Sequence, residues 1–97
     1  MTMREDRTII LSDLQAKKRD GRKITALTAY DYPLAQLISK AGIDIILVND
    51  GVIGGIALGR GDGFSTTIEE VAYHTRAVKA GAGDCAVVSS MTFGSYN

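Results

Sequence analysis

Ile43-Asp44-Ile45-Ile46-Leu47-Val48-Asn49-Asp50-Gly51, residues 43–51, is a nearly continuous apolar stretch that ends in a carboxylate and a glycine. An apolar run of this kind is expected of a strand covered on both faces in a parallel sheet, and only Asp44 interrupts it. The strand delivers Asp50 into a loop that carries six glycines before Thr67. Parallel α/β enzymes place metal ligands and acid-base groups at this carboxyl edge of the sheet. Asp50 is therefore the leading candidate for a functional residue.

Working outward, strands and helices alternate. Upstream, Ser12 reads as an N-cap with Gln15 completing a capping box, and Gly21 offers a stop, which predicts a helix over 13–19. The β-branched run Ile24-Thr25-Ala26-Leu27-Thr28 predicts a strand over 24–28. Pro33 fits the first turn of a helix over 33–41, in which Leu34, Leu37, Ile38 and Ala41 share a face and Gly42 ends the run. The central strand spans 43–48.

Downstream, the loop 49–66 exceeds the usual median of about 4–6 residues, a length that goes with function or mobility. Within it, Ile56-Ala57-Leu58 reads as a short strand or packed turn. Thr67 and Glu70 form a second capping box, and Ile68, Val71, Thr75 and Val78 line a helix over 68–80 that Gly81 stops. A last strand covers 85–89. The fold class is α/β: one partial domain, β-α-β-α-β preceded by a short helix.

Three parallel strands have two open edges and two faces to cover, and only two full helices are available. A piece of a (β/α)8 TIM barrel, whose roughly 250 residues close the sheet on itself, resolves that problem better than a free-standing three-stranded fold.

Composition narrows the function. Hydrophobic residues make up 45% of the 97, and eleven basic residues balance eleven acidic ones, so neither a nucleic-acid nor a membrane partner is predicted. The basic group Lys17, Lys18, Arg19, Arg22 and Lys23 is interrupted by Asp20 and reads as a solvated face. The longest apolar run, about five residues, falls far short of the roughly 20 needed to span a bilayer. The first seven residues lack a hydrophobic signal core, which makes a cytoplasmic location the expectation.

Cys85 and His74 are single, so neither an intrachain disulfide nor a Cys/His zinc cluster can form; a metal here needs oxygen ligands. Cys85 reads as an inert buried thiol and His74 as a packing or hydrogen-bonding residue. The glycines at 51, 54, 55, 59, 61 and 63 lack the Gly-Lys-Ser/Thr and directly following helix of a phosphate cradle. Arg60-Gly61-Asp62 matches an adhesion tripeptide by coincidence. Tyr30 and Asp31 leave the first strand at the same edge, with Asp31 read as a helix cap.

The segments Ile24-Thr25-Ala26-Leu27-Thr28-Ala29-Tyr30-Asp31-Tyr32-Pro33, Ala41-Gly42-Ile43-Asp44, Val48-Asn49-Asp50, Leu58-Gly59, Ala72-Tyr73-His74-Thr75-Arg76-Ala77-Val78 and Phe93-Gly94-Ser95-Tyr96 occur in this order. Together they resemble the ketopantoate hydroxymethyltransferases, a family of (β/α)8 barrels in the phosphoenolpyruvate mutase and isocitrate lyase superfamily. The likeness runs over about residues 8 to 97 and makes the chain similar to that family's N-terminal third. It implies transfer of a hydroxymethyl group from 5,10-methylenetetrahydrofolate to a small 2-oxo acid, 3-methyl-2-oxobutanoate, in pantothenate biosynthesis. It further implies a Mg²⁺ ion stabilising the enolate and a homo-oligomer in the full-length form.

By the same resemblance, Asp50 corresponds to a metal ligand and substrate contact. Gly51 takes the substrate-binding position of a family serine, keeping only a backbone N–H. Ser90 stands where the family carries a second metal-binding aspartate, also near the substrate. The loop departs as well, with Arg60-Gly61-Asp62-Gly63-Phe64-Ser65-Thr66-Thr67 and one extra residue between Asp50 and Leu58; Asp62 lies one place away from a compensating position. The family's catalytic Glu belongs to later strands, so no general base is assigned and the short chain is expected to be inactive. Two further readings are another superfamily enzyme acting on a 2-oxo acid or phosphonate, and a non-catalytic remnant or oligomerisation piece.

Overall fold

The computed structural model describes Ile9 and residues 11–62 and 64–92. The N-terminal Met1–Arg7 stretch, Gly63 and the Phe93-Gly94-Ser95-Tyr96 segment lie outside the described residues. In chain order the elements are α1 (Leu11–Arg19), β1 (Ala26–Thr28), α2 (Tyr32–Lys40), β2 (Ile45–Val48), α3 (Asp50–Val52), a π-helical turn (Ile53–Ala57), α4 (Ile68–Gly81) and β3 (Ala86–Ser89). The three strands form a parallel sheet in the order β1-β2-β3. Ile46 lies between Leu27 and Val87, and Val48 pairs with Ser89.

Side chains alternate across a strand, so Ile46 and Val48 share one face and Leu47 points to the other. Ile46 and Val48 are buried together with Ala35 and Ile38 of α2, Val71 and Val78 of α4, and Ile53. Burying each of these larger side chains stabilises the fold by about 1.5–3 kcal/mol. The opposite face stays open: Leu47 is 37% and its lateral neighbour Val88 48% exposed. This corrects the expectation of a central strand covered on both sides, because α2 and α4 pack against one another and α4 lies on β2 and β3.

Local chemistry explains where the elements begin and end. Helix α1 starts at Leu11, so Ser12 sits inside it instead of capping it. Its end is as read: Gly21 adopts φ 71°, with Gly21 N–H donating to Lys18 C=O and Arg22 N–H to Lys17 C=O. These paired bonds satisfy carbonyls the helix leaves open. Asp31 caps α2 by accepting Leu34 N–H at 2.9 Å, which moves the helix start from the expected 33 to Tyr32.

Strand β1 begins at Ala26 and not at 24, and β2 at Ile45 and not at 43, because Asp44 diverts the local hydrogen bonding. Its carboxylate accepts Thr25 N–H and Thr25 Oγ1–H, and Lys17 Nζ at 2.8 Å. Lys17 thus leaves the solvated basic face to which Lys18, Arg19, Arg22 and Lys23 belong. Burial acts to raise the Asp44 pKa, but the Lys17 and Thr25 hydrogen bonds and the Lys17 charge prevail and hold it below the ordinary carboxylate value.

Helix α4 continues through Gly81, past the expected end at 80, and the left-handed residue is Gly83 at φ 56°. Gly81 serves packing: a Cβ there would lie 2.6 Å from Tyr32 C=O, so only glycine lets α4 approach the first turn of α2 this closely. Strand β3 begins at Ala86 because Cys85 N–H turns back to Ala82 C=O. The Cys85 thiol donates to Ile43 C=O, and burial pushes its pKa up, which suits an inert core residue.

Candidate active site

The loop expected over 49–66 opens with helical structure. Asn49, extended at the end of β2, accepts Gly51 N–H at 2.8 Å and Val52 N–H at 3.3 Å through Oδ1, and thereby starts α3. The chain then widens into the π-helical turn, where Leu58 N–H reaches Ile53 C=O. Ile56-Ala57-Leu58 is therefore no strand, and the anchoring side chain is the fully buried Ile53, not Ile56, which is 67% exposed. Gly51 N–H, expected to face substrate, is already taken by Asn49. A Cβ at Gly51 would come within 3.0 Å of Asn49 Oδ1, so the glycine and the asparagine cap belong together.

Parallel pairing brings Asp50 and Ser90 side by side at the carboxyl edge. Ser90 N–H extends the ladder to Val48 C=O at 2.9 Å. Ser90 Oγ then accepts Asp50 N–H at 3.0 Å and donates to Asp50 Oδ1 at 3.1 Å. On the other side of the same residue, Thr66 Oγ1 donates to Asp50 C=O at 2.9 Å, and Thr66 is buried.

The surrounding loop is tied to α4. Arg60 makes a two-pronged ion pair with Glu70, at 2.6 and 2.5 Å, while Glu70 also accepts Thr67 N–H in the capping box. The Arg60 hydrogen bond, aided by Thr67 N–H, lowers the Glu70 pKa to about 2. Asp62 turns inward on its own loop, where Oδ1 accepts the N–H groups of Phe64 and Ser65. Arg60 and Asp62 are thus both engaged in contacts that hold the loop.

His74 packs as expected. Its Nδ1 lies 2.6 Å from Tyr30 C=O, and since a carbonyl can only accept, Nδ1 carries the proton. A cavity of about 260 Å³ beside it is lined by Leu58, Glu69, Glu70, Tyr73 and His74, and shares no residue with the Asp50–Ser90 pair.

A magnesium ion fits these residues poorly. Mg²⁺ prefers near-octahedral oxygen coordination, commonly with carboxylates among its ligands. Among the described residues no three His, Cys, Asp or Glu side chains converge as a metal would require. Oδ1 of Asp50 already accepts the Ser90 hydroxyl. The described residues thus offer one anionic oxygen donor and a neutral hydroxyl, too few to retain a dication.

Two partners, Thr66 of Asp50 and Lys17 of Asp44, are brought in by the tertiary structure alone. The Thr66-Thr67 doublet advertised only the helix cap at Thr67, and nothing in it marked the first hydroxyl. Asp44 did carry a signal, since a lone carboxylate in an apolar run needs a cationic or hydrogen-bonding partner.

A parallel α/β scaffold that holds an aspartate and a serine together where two neighbouring strands end has the layout of an enzyme of the carboxyl-edge class. The ketopantoate hydroxymethyltransferase family model matches residues 8–97, and the chain belongs to that family. It is 46% identical over 88 residues to the 3-methyl-2-oxobutanoate hydroxymethyltransferase of Aquifex aeolicus, covering 91% of this chain and 33% of that protein. Proteins of the same name from Acetivibrio thermocellus (45% over 92 residues; 95% and 32% covered) and Syntrophotalea carbinolica (43% over 94 residues; 97% and 34%) are similar to it as well. The chain spans about a third of the length of the curated relatives it matches. Among the described residues no helix is long and apolar enough to cross a membrane.

Proposed function

We propose that this chain is the opening portion of a (β/α)8 barrel that transfers a hydroxymethyl group from 5,10-methylenetetrahydrofolate to 3-methyl-2-oxobutanoate, forming 2-dehydropantoate for pantothenate synthesis. The observation that carries this reading is the family match across residues 8–97. The open face bearing Leu47 and Val88 supports it, because strands of a closed barrel direct alternate side chains into a shared interior. The reading also carries a cytoplasmic site of action and a homo-oligomeric full-length protein.

Within that reaction the chain's part is to bind and orient the 2-oxo acid at the rim formed by Asp50 and Ser90, with Gly51 beside them and its N–H engaged by Asn49. Asp50 faces the substrate at this rim, and Ser90, hydrogen-bonded to it, offers the neutral contact to the substrate carboxylate. The single Ser90 hydroxyl proton points at Asp50 Oδ1 and must turn outward to donate to an incoming oxygen. Toward Mg²⁺ the chain contributes one anionic donor, Asp50. The relatives above all bear the hydroxymethyltransferase name, which favours this reading over a phosphonate enzyme of the wider superfamily.

The test is a titration of the ¹⁵N-labelled chain with 3-methyl-2-oxobutanoate, and separately with phosphonopyruvate, followed by amide shifts. Movement at Asp50, Gly51 and Ser90 with the first ligand is the expected result. A folded chain whose rim amides respond to neither ligand, or only to the phosphonate, rules the proposal out.

A further inference from the structure

We infer that Thr66 is a positioning residue for Asp50, a role that rests on the reading of Asp50 as a substrate-facing group. Both peptide groups flanking the Asp50 side chain are held by hydroxyls from elsewhere in the chain. Its N–H goes to Ser90 Oγ, and its C=O accepts Thr66 Oγ1–H at 2.9 Å. That same carbonyl also accepts Ile53 N–H, a donor it shares with Asn49 C=O. With the peptide planes fixed on either side, the direction in which the Asp50 carboxylate leaves the rim is set by these contacts.

Thr66 is well built for this. It is 4% exposed, so water competes little for its hydroxyl, and the following residue, Thr67, is anchored by the capping box at the start of α4. The Arg60–Glu70 pair ties the other end of the same loop to that helix. The loop is thus held at both ends, and Thr66 passes that constraint to Asp50 through the Asp50 carbonyl. Ser90 hydrogen-bonds the carboxylate itself, whereas the Thr66 hydroxyl bonds the Asp50 carbonyl.

The experiment compares Thr66→Val, which keeps the shape and loses the hydroxyl, with Thr66→Ser, which keeps the hydroxyl. Two quantities are read in ¹³C,¹⁵N-labelled protein: the ¹³C shifts of the Asp50 carboxyl and carbonyl, and the dissociation constant for 3-methyl-2-oxobutanoate. Loss of one hydrogen bond predicts shifted Asp50 resonances and about threefold to tenfold weaker binding in Thr66→Val, with both restored in Thr66→Ser. Ser12→Ala serves as control, because Ser12 is an exposed residue of α1, away from the carboxyl edge, and its loss should leave Asp50 unmoved.

Unshifted Asp50 carbons in a folded Thr66→Val overturn the inference, even if melting temperature falls. If Thr66→Val does not fold, Thr66→Ala replaces it. Unfolding of both beside a native Thr66→Ser assigns the hydroxyl to the fold at large and also overturns it. Failure of the wild-type chain to bind the 2-oxo acid counts against the substrate reading alone, since the Asp50 shifts still report on positioning.

Discussion

Ser90 and Asp50 exchange two hydrogen bonds across the ends of neighbouring parallel strands: the serine oxygen takes the aspartate N–H and returns its own proton to the aspartate carboxylate. The pair is 40 residues apart in the chain and adjacent in space only because β2 and β3 are in register. It closes on itself with one negative charge, where a metal chelate would need several anionic oxygens.

Replacing Ser90 with aspartate is predicted to turn that closed pair into an ion-demanding one. Two like charges at this distance raise each other's pKa and repel. Ser90→Asp should melt earlier than the wild type in chelator and recover with millimolar Mg²⁺, whereas the wild type should be indifferent to the ion. Melting curves with and without Mg²⁺ decide it, and a clear Mg²⁺ response of the wild type would contradict the poor fit of the ion to Asp50 and Ser90.

Lys17→Met should be among the more damaging substitutions at the far end of the sheet. Removing one partner of a buried pair costs about 3–5 kcal/mol, and the 27% exposure of the Lys17 side chain puts this case lower, at about 2–3 kcal/mol. The pH dependence follows from the lowered Asp44 pKa. Its stabilising contribution is complete above the ordinary 3.8 and disappears as pH falls through the lower folded value. Without Lys17, burial acts with less opposition, so the acid-unfolding midpoint should move to higher pH; an unchanged midpoint in acid titration by circular dichroism would contradict this.

The Arg60–Glu70 clamp gives a second acid-sensitive feature with its own window. Glu70 has a folded pKa of about 2 against an ordinary 4.5, so its contribution is present above pH 4.5 and fades as pH drops toward about 2. Both residues face solvent, and salt should weaken the pair. Arg60→Ala is expected to leave global melting little changed while speeding amide exchange at Phe64 and Ser65, measurable by hydrogen–deuterium exchange at neutral pH.

Two glycine-to-alanine changes should part company. Gly81→Ala drives a methyl to within 2.6 Å of Tyr32 C=O and should cost about 1–3 kcal/mol as α4 is pushed off α2. Gly55→Ala meets nothing within 4 Å and should be neutral or slightly stabilising, since alanine loses less backbone entropy on folding. Chemical denaturation of the two variants side by side checks the contrast.

Periodicity and turn chemistry act within a few residues, and those were legible. The alternation of strand and helix, the caps at Asp31 and Thr67, and the stops near Gly21 and Gly42 all follow from contacts no more than five positions apart. Asp50 at the end of an apolar strand was legible for the same reason. The helical start of the loop was harder to see, because glycines at 51, 54 and 55 argue against a helix and the Asn49 cap is what tips the balance.

By itself the sequence determined that this is a parallel α/β chain with a carboxylate at the exit of its central strand, because backbone sterics and hydrophobic period are local properties. Only the tertiary structure decided what surrounds that carboxylate. The Ser90 hydroxyl, the Thr66 contact beneath it and the Lys17–Asp44 pair at the opposite end each join residues 16 to 40 positions apart. Such pairings depend on strand register and helix packing, in which many weak contacts act at once, so no single segment encodes them.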